Sequence, residues 1–323
     1  MNVVELLPGT EATPDNPRWH ELRRQGVTAS EIPVILGLST WDSPWALWHR
    51  KRGLIDDTPA GESAYWGRHL EDAIADAAID RVDPHVQMAF ARGGLYCHPD
   101  RPWQMATPDR LVFHDGELVS LLEIKHPRSL AGWGDNGSDD VPEAYLAQCL
   151  WQADVMGVDQ VWLAAYAQHE LRVYRILVDH HRDDLELMRQ AANDFLAADE
   201  PPPLDDHPAT LLALRRLHPD VEDRDQEIPT DLAARYRDVC RAAREAEAAK
   251  RRVEAELRAA MGAARRAVDP GGAVVATRAV YTRRSLDTRR LRADHPDIVA
   301  AYATETTVDT IRPSGKDSHE QDQ

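Results

Sequence analysis

The sequence has 323 residues, 43% of them hydrophobic, and 38 Lys and Arg set against 55 Asp and Glu give a formal net charge of −17. That length and apolar fraction suit one large domain with an appendage, or two domains, and exclude a chain too polar to bury a core. The acidic total argues against nucleic-acid binding through overall charge, but the charge is uneven. Acidic residues crowd 179–227 and a basic series runs from Arg235 to Arg292, and a cleft can gather a few cations inside an acidic particle. No apolar run reaches membrane-spanning length, and MNVVELLPGT lacks the basic start and apolar stretch of a signal peptide, so a cytoplasmic protein without membrane contact is expected. Cys97, Cys149 and Cys240 are scattered and odd in number, which forms neither a disulfide framework nor a paired-cysteine zinc site.

In chain order, residues 19–37 read as a helix, a break at Gly26 and a second helix opening at Thr28. Thr28 and Glu31 have the spacing of a capping box, and Ser30 in the first turn with Arg23 upstream forms either a phosphate seat or an ordinary helix cap. Trp41, Trp45 and Trp48 follow at helical spacing, with Pro44 opening that helix. Such a stripe is core by default; base stacking beside His49, Arg50, Lys51 and Arg52 is the alternative. Residues 57–63 read as a linker. The segment 64–80 reads as an amphipathic helix with Leu70, Ala73, Ile74 and Ala77 on one face, and it leaves Glu71 either solvated or turned inward. Residues 85–97 resemble one strand.

Residues 107–125, TPDRLVFHDGELVSLLEIK, form the centre of the reading. Asp115-Gly116 is a hairpin turn between two strands. Side chains two apart on a strand share a face, so Glu123 and Lys125 project together while Ile124 faces the core. With Asp109 on the neighbouring strand, two carboxylates and an ammonium converge, a set suited to Mg²⁺ or Mn²⁺ with Lys125 free to act on a water or a developing charge. Taken alone, Glu-x-Lys is a common solvated pair. After a loop, residues 143–157 read as a helix stopped by Gly157, with Tyr145, Gln148 and Gln152 as a polar stripe that faces either solvent or a site. Two further strands, 158–167 and 170–178, and a helix over 181–198 complete a mixed sheet flanked by helices. PPPLDDHP marks a boundary, placing a first domain at 1–205, a linker at 206–228, a helical and β extension at 229–312 and a disordered tail at 313–323.

With LRRQGVTASE (22–31), WGRHLEDA (66–73), TPDRL (107–111), LEIKHP (122–127) and AYLAQCLWQADVMG (144–157) in this order, residues 15–200 resemble the YqaJ-type viral recombinase family. Its best-known relative is the lambda phage exonuclease, in the PD-(D/E)xK nuclease superfamily. The resemblance implies an α/β core with a central mixed sheet and a Mg²⁺-dependent deoxyribonuclease (Mn²⁺ as substitute) that degrades linear duplex DNA from 5′ to 3′ in phage-type recombination. It makes Asp109 and Glu123 metal ligands together with the Ile124 carbonyl, places Glu71 to bind a second metal directly or through water, and makes Lys125 the residue that orients or activates the attacking water and Gln148 a site-lining residue. It places Arg23 and Ser30 at a 5′-phosphate, with Tyr145 as a further DNA contact. A ring-shaped homotrimer and a single-strand annealing protein as partner are implied too. Arg110 stands where the family pattern has Gly and is expected either near DNA or on the surface of the hairpin; His126 stands where Cys is common. The alternatives are a Cas4- or AddB-like nuclease, against which the three scattered Cys argue, and a non-catalytic DNA-binding or assembly protein on the same fold.

Overall fold

The computed structural model describes residues 3–57, 61–82, 88–305 and 308–314. The chain divides into two compact units, 1–220 and 221–323. The first unit begins with β1 (Val4–Leu7), α1 (Pro17–Arg24), β2 (Val27–Thr28), α2 (Ile32–Ile35), α3 (Pro44–Lys51) and α4 (Glu62–Ile79). It continues through β3 (Met88–Arg92), β4 (Leu95–Cys97), β5 (Gln104–Ala106), β6 (Arg110–His114) and β7 (Glu117–Lys125). Then come α5 (Glu143–Met156), β8 (Gln160–Ala167), β9 (Glu170–Leu177), α6 (Arg182–Ala197) and α7 (Pro208–Leu217).

A five-stranded sheet in the order β3-β6-β7-β8-β9 forms the centre. Asp115 and Gly116 both have positive φ (51° and 81°), the conformation a two-residue hairpin turn demands, and they join β6 to β7 as the sequence requires. α5 then crosses over so that β8 pairs parallel to β7, while the other neighbours are antiparallel. The alternation along β7 decides what each face meets. Leu122 and Ile124 pack with Ile74, Ala75 and Ala78 of α4, whereas Leu121 packs with Leu150 and Trp151 of α5. Glu123 and Lys125 therefore stand on the α5 side.

On the far side of α5 lies a four-stranded sheet in the order β1-β4-β5-β2. Trp151, fully buried, donates from its indole N–H to the carbonyls of Met105 at 3.1 Å and Val27 at 3.3 Å, tying α5 to that sheet. The single strand expected over 85–97 is two strands in two different sheets, and 83–87 lie outside the described residues. The switch falls at Gly93-Gly94, where a Cβ would come within 2.0 Å of the Pro108 carbonyl oxygen and 2.3 Å of that of Leu7. The backbones approach there too closely for any side chain.

Other expectations change as well. The second helix does not open at Thr28: Val27 and Thr28 are strand paired parallel to β5, and only the short α2 follows. Burial of Thr28 against Met105 outweighs its capping preference. The expected linker 206–228 contains α7, which belongs to the first unit: Ala213 packs on Trp45, Ala46 and Ile55, and Thr210 Oγ1 donates to Ser43 Oγ at 2.7 Å. The expected linker 57–63 is shorter as well, since α4 starts at Glu62 and 58–60 lie outside the described residues. Trp45 and Trp48 are core, as a stripe at helical spacing suggests, but Trp41 is 55% exposed.

The second unit contains α8 (Thr230–Met261), a hairpin of β10 (Arg266–Val268) and β11 (Val274–Thr277), α9 (Thr288–Asp294) and α10 (Pro296–Tyr302). The long helix is one helix, and its charges pair along its own surface, as in Arg241 with Asp238 at 2.7 Å. α9 and α10 do not run on as one helix, because Pro296 lacks the N–H that a continuous helix would need. Residues 308–313 form neither helix nor strand, and 306–307, like 315–323 of the expected tail, lie outside the described residues.

Because Trp151 fills the space between α5 and the small sheet, Trp151→Ala should destabilise the first unit by about 3–5 kcal/mol. Trp151→Phe, which keeps most of the volume but removes the donor, should cost about 1–3 kcal/mol. Urea unfolding followed by circular dichroism checks both values and their order.

Candidate active site

Glu123 is 2% exposed, and its carboxylate is held by three donors. Lys125 Nζ and Gln148 Nε2 each donate to Oε1 at 2.6 Å, and Gln152 Nε2 donates to Oε2 at 2.7 Å. The two glutamines are one helical turn apart on α5, so a single helix face supplies both amides. A carboxylate has about four lone-pair positions, which leaves Oε2 room for a further ligand.

Asp109 lies just before β6, where the ladder with β7 ends at the Arg110–Leu122 pair. Its Oδ2 accepts the Ile124 N–H at 2.7 Å and so adds one rung beyond the last paired residues. Burial, and then repulsion from the Glu123 carboxylate, push the Asp109 pKa well above the usual carboxylate range. Burial by itself would lower the Lys125 ammonium, but Glu123 and Asp109 outweigh it and hold its pKa above that of an ordinary lysine. Lys125 also sits 5.5 Å from the centre of the Tyr145 ring, which stacks with both Trp133 and the exposed Trp41. Beneath the site, burial and the same carboxylates push up the Cys149 thiol, so Cys149 stays protonated and is not a nucleophile.

Glu71 does not join this group. Arg110 pairs with Leu122 and so stands on the α4 face, where its Nη1 donates to Glu71 Oε1 at 2.7 Å and its Nη2 to Asp72 Oδ1 at 2.5 Å. Arg110 is 8% exposed, which corrects the expectation of a surface hairpin residue. Among the described residues no three His, Cys, Asp or Glu side chains come together as a metal-holding group. Glu71 is turned to a guanidinium and Glu123 to Lys125 and the two glutamines of α5, while the Glu71 charge still adds to the repulsion that raises Asp109. What remains on the α5 side suits one hard cation. Asp109 and Glu123 are oxygen donors, and a positive ion would relieve the repulsion that raises Asp109.

Arg23 Nη2 donates to Thr28 Oγ1 at 3.1 Å and to Ser30 Oγ at 3.2 Å, while its guanidinium lies 4.2 Å from the Trp19 ring centre. The cluster rests on a buried pair, since Lys51 Nζ donates to Glu31 at 2.7 Å, to the Gly26 carbonyl at 2.6 Å and to the Arg23 carbonyl at 2.5 Å. Burial would raise Glu31, but Lys51 and Arg23 hold it below its ordinary value. Half of the expected capping box survives as the Thr28 N–H to Glu31 bond of 2.9 Å. The hydroxyls of Thr28 and Ser30 face Arg23 instead of helix amides. A groove of about 970 Å³ is lined by Arg23 and Ser30 at one part and by Ile124, Lys125, Tyr145 and Trp41 at another.

Sequence reasoning placed Gln152 on the polar stripe without assigning it to the site; its one-turn spacing from Gln148 was the signal. The Trp41–Tyr145–Trp133 stack had no local signal, because its three rings come from three separate segments.

The mixed sheet with Pro108-Asp109 beside the end of a strand carrying Glu123-Ile124-Lys125 is the arrangement that the resemblance to the PD-(D/E)xK superfamily implies. Residues 18–159 match the model of the YqaJ-like viral recombinase domain, so this segment is similar to that domain. The uncharacterized protein YqaJ of Bacillus subtilis (strain 168) is 32% identical over 142 residues, 43% of this chain and 42% of that protein. The match thus spans about two-fifths of that relative's length. Among solved structures, the alkaline exonuclease LHK-Exo from Laribacter hongkongensis is 20% identical, with 56% of this chain and 90% of that one covered and a TM-score of 0.42. LHK-Exo in complex with dAMP gives 19% identity, coverage of 62% and 96%, and a TM-score of 0.43. A putative exonuclease from Eubacterium rectale gives 12%, 67% and 95%, and 0.38.

Because folding raises the Asp109 pKa, the neutral acid is the form that the metal-free fold favours. Its contribution is complete below the unfolded value near ~3.9 and is lost as pH rises through the folded value. Asp109→Asn, which stays neutral and keeps an oxygen for the Ile124 N–H, should melt higher than the parent in chelator at neutral pH. That advantage should shrink on acidification. Thermal melts across pH check it, and a parent that melts higher at neutral pH contradicts it.

Proposed function

We propose that this chain is a metal-dependent DNA exonuclease. The observation that supports the reading best is that Lys125, whose ammonium donates to Glu123 beside Asp109, lines the same groove as Arg23 and Ser30. Asp109, Glu123 and the Ile124 carbonyl would hold the divalent ion, Mg²⁺ by preference with Mn²⁺ able to replace it. When bound, the ion supplies a more acidic water and stabilises charge on the phosphate. Gln148 and Gln152 hold Glu123 in one rotamer so that its acceptor positions stay fixed. Lys125 carries a permanent charge beside Glu123 and stabilises hydroxide or the developing anion.

Arg23 binds a terminal 5′ phosphate, with Ser30 as a neutral donor beside it. A guanidinium suits a phosphate because its fork of N–H groups matches two oxygens at once. Tyr145, in the same groove, contacts the strand between the two positions. The substrate is the end of a linear duplex, digestion runs 5′ to 3′, and the setting is phage-type recombination with a ring-shaped oligomer and a single-strand annealing protein as partner.

End-labelled linear duplex, with and without a 5′ phosphate, tests this in Mg²⁺. Glu123→Ala and Lys125→Ala should each lower the rate by about 10²–10³-fold or more in a folded protein. Wild type should prefer the phosphorylated end, and Arg23→Ala should erase most of that preference while basal cleavage continues. Equal rates on both ends would reduce the Arg23 cluster to a structural contact, and full activity in Glu123→Ala would remove the site.

A further inference from the structure

We propose that Arg110 acts as a built-in cation in place of a second metal ion, so that the site takes one divalent ion and keeps Glu71 out of its coordination. The inference rests on the reading that Asp109 and Glu123 hold a metal, and it concerns how many ions they hold and why. Three observations carry it. Glu71 and Arg110 stand on the α4 face of the sheet, whereas Glu123 and Lys125 stand on the α5 face. The Arg110 guanidinium spans Glu71 at 2.7 Å, Asp72 at 2.5 Å and the Asp109 carbonyl at 2.7 Å, so its N–H groups are committed to three oxygens. It is also buried, so a cation approaching Glu71 would have to displace a fixed guanidinium and leave it one partner short.

The geometry is over-determined for such a role. Arg92 adds a second guanidinium, 3.0 Å from Asp72 and 3.6 Å from Glu71. Asp109 thus lies between two organic cations, Lys125 on one face and Arg110 on the other, each secured by its own carboxylate. A dication on the Asp109–Glu123 side adds to this arrangement, and one on the Glu71 side competes with it. Arg110 is a positioning residue here, since it works through Glu71 and the Asp109 backbone.

Mn²⁺ binding to the full chain tests the count independently of turnover. Free Mn²⁺ is measured by electron paramagnetic resonance, alone and with a phosphorothioate-ended duplex that resists cleavage. Wild type should bind one ion under both conditions. Arg110→Gly, which takes away the nearer of the two guanidiniums at Glu71, should bind two, and Glu71→Gln added to it should return the count to one. If Arg110→Gly does not fold, Glu71→Gln in the otherwise unchanged chain still decides, because its Mn²⁺ affinity should stay within about threefold of wild type, or ~0.7 kcal/mol. Two ions on wild type, one on folded Arg110→Gly, or a tenfold loss in Glu71→Gln would overturn the proposal. No bound ion on wild type, or undiminished binding in Asp109→Ala/Glu123→Ala, would instead remove the metal reading beneath it.

Discussion

A carboxylate buried as deeply as Glu123 is tolerated only where donors replace its lost water, and that requirement organises the rest of the site. Its three donors come from two elements: Lys125 from the same strand, and Gln148 and Gln152 from the crossover helix. The helix can supply them only if its position over the sheet is fixed, and Trp151, between the two glutamines and the small sheet, fixes it. The small sheet therefore bears on the chemistry even though none of its strands carries a group of the Asp109–Glu123–Lys125 cluster. Its parallel pair β2–β5 also sets where α1 ends and hence where Arg23 stands.

The two faces of the central sheet divide the charges between them. On the α5 face, two acids share one lysine, and Asp109 is left with a raised pKa that a cation would relieve. On the α4 face, acids and guanidiniums are matched: Arg110 and Arg92 together meet Glu71 and Asp72. The same division appears near Arg23, where Lys51 holds Glu31 at 2.7 Å and Arg23, 3.9 Å from that carboxylate, donates to the hydroxyls of Thr28 and Ser30. An acidic chain can in this way present positive groups where they are needed, because local pairing and not net charge sets the field inside a groove.

Much of this was legible in the sequence, for reasons of period and spacing. The hairpin at Asp115-Gly116, the alternation that joins Glu123 to Lys125, the polar stripe on α5 and the helix containing Glu71 follow from local rules that hold whatever surrounds them. The family resemblance was legible too, since it depends on short motifs in order. Tertiary structure alone decided the relations between segments. Thr28 became strand because a partner strand lay beside it, and residues 88–97 split between two sheets where backbones touch at two glycines. Trp41 came to the groove while its two neighbours went to the core. Most consequentially, Glu71 met Arg110: each sits in its own motif, but only the registry of β6 on β7 puts both on one face of the sheet, and no single-segment pattern encodes a contact across 39 positions.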